Sequence, residues 1–183
     1  MKNKYVILLI GGSGCGKDTC GRALEAKGWI GVKSYTTRPP RFAGENTHTF
    51  ISEKEFDNLV DIVAFTTFDK YRYAATKSQV EQCDYYIIDP AGARRMMETW
   101  NNPNVTLVPV YLDASENLRR SRMLGRGDSP SAVYRRLEHD TSAFSEEQID
   151  FIRLRIDVGP QTNIAEEVIE LRRRLVDMKK GRL

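Results

Sequence analysis

Short, unbroken apolar runs alternate along the chain with segments whose apolar residues recur every three or four positions. Residues 5–10 (YVILLI) are the first run, the pattern of a parallel strand buried on both faces. Residues 17–27 follow with Cys20, Ala23 and Leu24 on one helical face, and 28–33 (GWIGVK) read as a second strand. Residues 84–89 (DYYIID) and 105–112 (VTLVPVYL) are further strands, with helices expected over about 91–100 and from Ser115 onward. Residues 130–148 read as helical, 150–157 as an alternating edge strand, and 164–179 as an amphipathic final helix. Strands alternating with helices predict an α/β fold, a mostly parallel sheet covered by helices on both faces.

The rhythm breaks after residue 33. SYTTRPPRFAGE (34–45) is polar, basic and proline-bearing, so it is a loop rather than a core element. HTFIS (48–52) reads as a short strand. Ser52 and Glu55 have the spacing of a capping box opening a helix, and 61–75 carry the β-branched and aromatic residues of short antiparallel strands.

Candidate chemistry begins at the first strand's end. Gly11, Gly12, Ser13, Gly14, Cys15, Gly16 and Lys17 fit G-x-x-x-x-G-K between a strand and a helix, the context a phosphate loop needs. Its glycines let backbone N–H groups turn toward phosphate oxygens, the helix start favours an anion, and Lys17 supplies a cation. Asp18 stands where a hydroxyl is expected. It is read as a hard oxygen ligand for Mg²⁺, with Thr19 offering a hydroxyl one position on; the alternative reading is an acid favoured in a helix's first turn.

The chain resembles the guanylate kinases. The resemblance rests on the phosphate loop Gly11–Lys17, on SYTTRPPR (34–41) with Gly44 and Glu45, and on Arg122-Met-Leu-Gly-Arg126-Gly127, in the family's order and near its spacing. It implies a P-loop NTPase-type single domain with a core (1–33, 81–121 and 145–183), an inserted acceptor-binding subdomain (34–80) and a lid (122–144). It implies ATP and Mg²⁺ as cofactors and a (deoxy)nucleoside monophosphate as acceptor. Lys17, Arg38, Arg41, Arg122, Arg126 and Arg136 would carry the transfer. Ser34, Arg38, Arg41, His48, Tyr73 and Asp89 would hold the acceptor, and Asp18, Thr19 and Asp89 the metal. The positions that read guanine in the family fall on Ala64 and Ala75, so the phosphate grip is kept while the base readers are lost. An Ala64→Glu substitution is then expected to improve use of guanosine monophosphate. The G-K-D-T loop is also similar to that of phage deoxynucleoside monophosphate kinases. Two alternatives stay open: a kinase of a non-nucleotide phosphate such as a ribose phosphate, and an inactive binding module of the same fold.

Composition adds bounds. The chain has 183 residues, 40% hydrophobic and 29% charged, as expected of a globular protein. A net charge of +3 suits a phosphate handler but does not argue for nucleic acid. No apolar run reaches the roughly 20 residues of a membrane span, so no membrane partner is expected. Three cysteines without a CxxC pair read as free thiols, and with two histidines a zinc site is not expected. A cytoplasmic monomer or homodimer is the expectation, and oxidation of Cys15 is expected to block ligand entry.

Overall fold

The structure, a computed structural model, describes residues 4–181. The outermost residues of the expected core, 1–3 and 182–183, lie outside the described residues. The first apolar run is β1 (Lys4–Ile10), in which residues 6–10 are fully buried. After it come α1 (Lys17–Glu25), β2 (Tyr35–Thr36), β3 (Thr49–Phe50), α2 (Glu53–Asp57), β4 (Ile62–Phe68), β5 (Tyr71–Thr76) and α3 (Lys77–Gln82). Then follow β6 (Tyr85–Ile87), α4 (Pro90–Thr99), β7 (Val105–Ala114), α5 (Glu116–Gly125), α6 (Pro130–Ala143), α7 (Glu146–Ile149), β8 (Leu154–Val158) and α8 (Ile164–Lys179).

The central sheet has strand order β6-β1-β7-β8 and is parallel throughout. Alternate residues of β1 feed two apolar layers. Val6, Leu8 and Ile10 pack with Ala93 and Met96 of α4 on one side, and Ile7 and Leu9 pack with Leu24 of α1 and Val168 of α8 on the other. Each such side chain contributes roughly 1.5–3 kcal/mol on burial. Cover on both faces is why β1 is continuously apolar rather than alternating. A second sheet, β3-β2-β5-β4, pairs β5 antiparallel to both its neighbours. Its Ala64 and Ala75 join the same apolar layer as Val6 and Leu8, so the two sheets share a core.

Local rules place most boundaries. Ser52 and Glu55 form the reciprocal capping box that opens α2, as the spacing predicts. Five expectations need correction. The stretch 34–45 is not all loop: Tyr35–Thr36 form β2 between β3 and β5, and Thr36 is fully buried, because its polar side chain is taken up inside the second sheet. Residues 28–33 do not form a strand: the pairing with β6 stops at a single bridge, Gly31 to Tyr85, flanked by bonds from Val32 N to the Tyr85 carbonyl and from Tyr85 N to that of Ile30, and the Tyr85 ring packs so close that a Cβ at Gly31 would sit 2.6 Å from it. The strand expected over 84–89 is β6 alone, and Asp89 instead caps α4. The helix over 130–148 divides at Phe144 and Ser145 into α6 and α7. The alternation at 150–157 becomes strand only from Leu154, as the sheet edge beside β7.

Candidate functional site

The glycine loop joins the central strand β1 to α1. Gly16, at φ 109°, is the N-cap of α1, and no side chain caps that helix. Its first N–H groups are therefore left to an external anion. Gly14 has φ 79°, a backbone that L side chains rarely adopt, and a Cβ there would lie 2.7 Å from the carbonyl oxygen of Arg119. The Lys17 ammonium donates to the carbonyl oxygens of Gly11 and Gly12, the latter at 3.0 Å. The loop thus keeps its cation folded against its own backbone. Cys15 is fully buried in the layer formed by Leu9 and Leu112. This corrects the expectation for its thiol: an oxidant in solvent does not reach it, and the residue acts as a small apolar filler.

A cleft of about 660 Å³ opens beside the loop, lined by Lys17, Asp18, Thr19, Arg122, Arg126 and Arg136, with Thr162–Ala165 as the far wall. Arg122 donates from Nη1 to the carbonyl of Cys15 at 3.0 Å and from Nη2 to that of Gly159 at 3.2 Å, tying α5 to the loop and to the turn before α8. Arg126 donates to Asp128 from Nε at 3.1 Å and Nη2 at 2.7 Å, and Arg136 lies 4.0 Å from the same carboxylate. Those hydrogen bonds hold the Asp128 carboxyl below its ordinary range. Asp18 and Thr19 are exposed at the start of α1. Among the described residues no three His, Cys, Asp or Glu side chains cluster to hold a metal. Magnesium takes most of its ligands from phosphate and water, so one carboxylate and one hydroxyl at a phosphate loop fit that ion. The uncapped helix start and the cations around it likewise fit a polyphosphate such as that of ATP.

Ser34, Arg38, His48 and Tyr73 meet elsewhere, on the second sheet and the loop that follows β2. Arg38 is buried and its guanidinium grips Glu45 from Nη1 at 3.2 Å and Nη2 at 2.8 Å. Glu45 also accepts from the Arg41 backbone at 2.6 Å and the Thr47 hydroxyl at 2.8 Å. The Arg38 hydrogen bond, foremost among these contacts, lowers the Glu45 pKa to about 2. The Nε of Arg38 is buried without a partner. The Arg41 side chain is exposed at the edge of this cluster. Ser34 Oγ and His48 Nδ1 are 3.0 Å apart, and the His48 and Tyr73 rings meet edge-on at 5.5 Å. Burial, then the nearby Arg38 charge, pushes the His48 pKa down and favours a neutral ring. Asp89 sits at the end of β6 with Oδ1 accepting from Gly92 N at 2.9 Å.

The two positions that the resemblance sets against the guanine readers are closed. Ala64 and Ala75 are cross-strand partners and are 3% and 0% exposed. A glutamate at Ala64 would place a carboxylate in the shared core, so the expected gain with guanosine monophosphate is withdrawn on this geometry.

Three polar residues of these clusters, Tyr86, Asp140 and Arg119, carry no signal of a site in the sequence, and for a fourth only the pairing is missing. Glu45 was legible as part of the R-x-P-R-x-G-E run, but not as the partner of Arg38. Tyr86 is buried, and that burial raises its pKa. Asp140 and Arg119 meet over the glycine loop, and in the sequence Asp140 is only an acid four residues after Arg136 in a basic helix.

The comparisons agree on the fold. A guanylate kinase from Anaplasma phagocytophilum matches with a TM-score of 0.60 at 18% identity, covering 95% of this chain and 88% of that one. At such identity the likeness is one of fold, an α/β P-loop kinase architecture. No curated protein matches the chain. The family model described as AAA domain matches residues 7–149, from within β1 through the loop, the cleft-lining α5 and α6, to the end of α7. With the loop and its cationic cleft inside that match, the chain belongs to the AAA domain family.

Proposed function

We propose that the protein is an ATP-dependent kinase that phosphorylates a (deoxy)nucleoside monophosphate whose base is not read as guanine. The observation that carries this is the uncapped α1 start with Lys17, facing a cleft edged by Arg122, Arg126 and Arg136. In this reading the loop amides and Lys17 hold the β- and γ-phosphates of ATP. Magnesium, when bound, would neutralise developing charge, with Asp18 or Thr19 as protein ligands and Asp89 as a further candidate. Residues 34–80 act as the acceptor-binding unit. Arg41, the free Nε of Arg38, Ser34 and Tyr73 take the acceptor's phosphate, while Glu45 fixes the Arg38 fork. His48, in contact with Ser34 and Tyr73, would lie beside that phosphate. Residues 122–144 act as a lid that brings three arginines onto the transferring group and excludes water. The acceptor oxygen is already anionic, so no general base is needed.

The buried Ala64 and Ala75 favour one further reading, an acceptor without a purine, down to a ribose phosphate. A panel of nucleoside monophosphates and sugar phosphates, read by acceptor-dependent ADP release, tests both. Turnover of a nucleoside monophosphate is the expected result. Turnover of sugar phosphates alone supports the second reading, and no turnover with any acceptor refutes both.

A further inference from the structure

Asp140 belongs to α6, yet it is 5% exposed and reaches the glycine loop. Its Oδ2 accepts from the backbone N–H of Ser13 at 2.7 Å and from Arg119 Nη1 at 2.6 Å, and Oδ1 lies 3.4 Å from the Ser13 hydroxyl. The pair lies close against the second glycine of the loop, so a side chain there would displace it. A Cβ at Gly12 would lie 2.4 Å from Arg119 Nη1 and 2.9 Å from Asp140 Oδ2. Met123 of α5 and Val133 and Leu137 of α6 form a small buried cluster that packs together the two helices supplying Arg119 and Asp140. Arg136 lies one helical turn before Asp140 on the same face and edges the cleft.

We propose that Asp140 is a positioning residue that holds the phosphate loop from the α6 side, setting the loop's amides and Arg136 in a single frame. It touches no substrate. Its carboxylate is neutralised by Arg119, and it fixes the first half of the loop through the Ser13 amide. Gly14, Gly16 and Lys17 stay turned toward the cleft. Loss of the clasp frees the loop's backbone before nucleotide arrives, so binding must then order it. The penalty falls on ATP affinity rather than on the chemical step. This inference rests on the nucleotide reading above.

The test uses Asp140→Asn in the full chain, with calorimetric binding of ATP, steady-state kinetics with the acceptor found in the panel, and amide hydrogen exchange of residues 11–17. D140N keeps the shape but loses the charge that both donors address. Expected are a KM for ATP raised about tenfold, a matching loss of affinity, kcat within about threefold, and faster exchange confined to the loop. Wild-type protein that binds no ATP overturns both the functional reading and the clasp. Wild-type binding with an unchanged KM and unchanged loop exchange in D140N overturns the clasp alone. Should D140N not fold, Arg119→Gln is read by the same measurements. It is expected to raise KM about threefold and to speed loop exchange, and no change in either overturns the proposal.

Discussion

Replacing Glu45 by glutamine removes one charge from a pair that water barely reaches. The Glu45 side chain is 2% exposed and that of Arg38 8%. Four donors converge on this carboxylate, two from Arg38, one from the Arg41 backbone and one from Thr47. Glutamine offers one acceptor oxygen in place of two, and its amide nitrogen confronts donors. It also leaves a buried guanidinium whose Nε already lacks a partner. Breaking one side of a buried, hydrogen-bonded pair costs about 3–5 kcal/mol, and the retained shape places E45Q near the lower end, at about 3. Urea denaturation at pH 7 measures this. The pH dependence gives a second reading of the same carboxylate. Its pKa falls on folding from 4.5 to about 2, so the pair's stabilisation is fully present above pH 4.5 and is lost as pH drops toward 2. The gap between wild type and E45Q should therefore narrow across that window, since a protonated Glu45 resembles glutamine. A loss below about 1 kcal/mol at pH 7, or a gap indifferent to pH between 4.5 and 2, would refute the buried-pair reasoning.

Gly14→Ala combines a backbone at φ 79° with a Cβ 2.7 Å from a main-chain oxygen, so thermal unfolding should show a loss of about 2 kcal/mol or more. Ala64→Glu should destabilise the fold by about 3 kcal/mol or more without improving use of guanosine monophosphate, checked by denaturation and by ADP release. Arg122→Gln gives up the charge-assisted bonds to the Cys15 and Gly159 carbonyls, and should lower kcat at least about tenfold and cost about 1–3 kcal/mol in chemical denaturation.

What could be read without coordinates followed from short-range physics. The run over β1 and the period of α8 announce themselves because burial on two faces or on one stripe leaves a direct imprint on residue order. The capping box at Ser52 is local for the same reason. Residues 28–33 misled because their apolar content fits a strand, while the pairing stops at a single bridge to Tyr85, more than fifty positions away. The site divides likewise. The loop and cleft arginines sit in motifs, but Asp140 meets Ser13 across 127 positions, a contact that no local pattern encodes. The burial of Cys15 and Ala64 is again a tertiary matter, decided by which layer each residue faces.

The central claim is that the loop's cation and amides bind and activate a nucleoside triphosphate. Lys17→Ala, assayed for ATP binding and for acceptor-dependent ADP release, tests it most directly. Among the described residues its side chain bonds loop carbonyls and the Cys15 sulfur, so the fold should survive, as circular dichroism would confirm. Transfer should fall by a factor of about a hundred or more in a folded K17A protein. A folded K17A that transfers phosphate at the wild-type rate would contradict the claim.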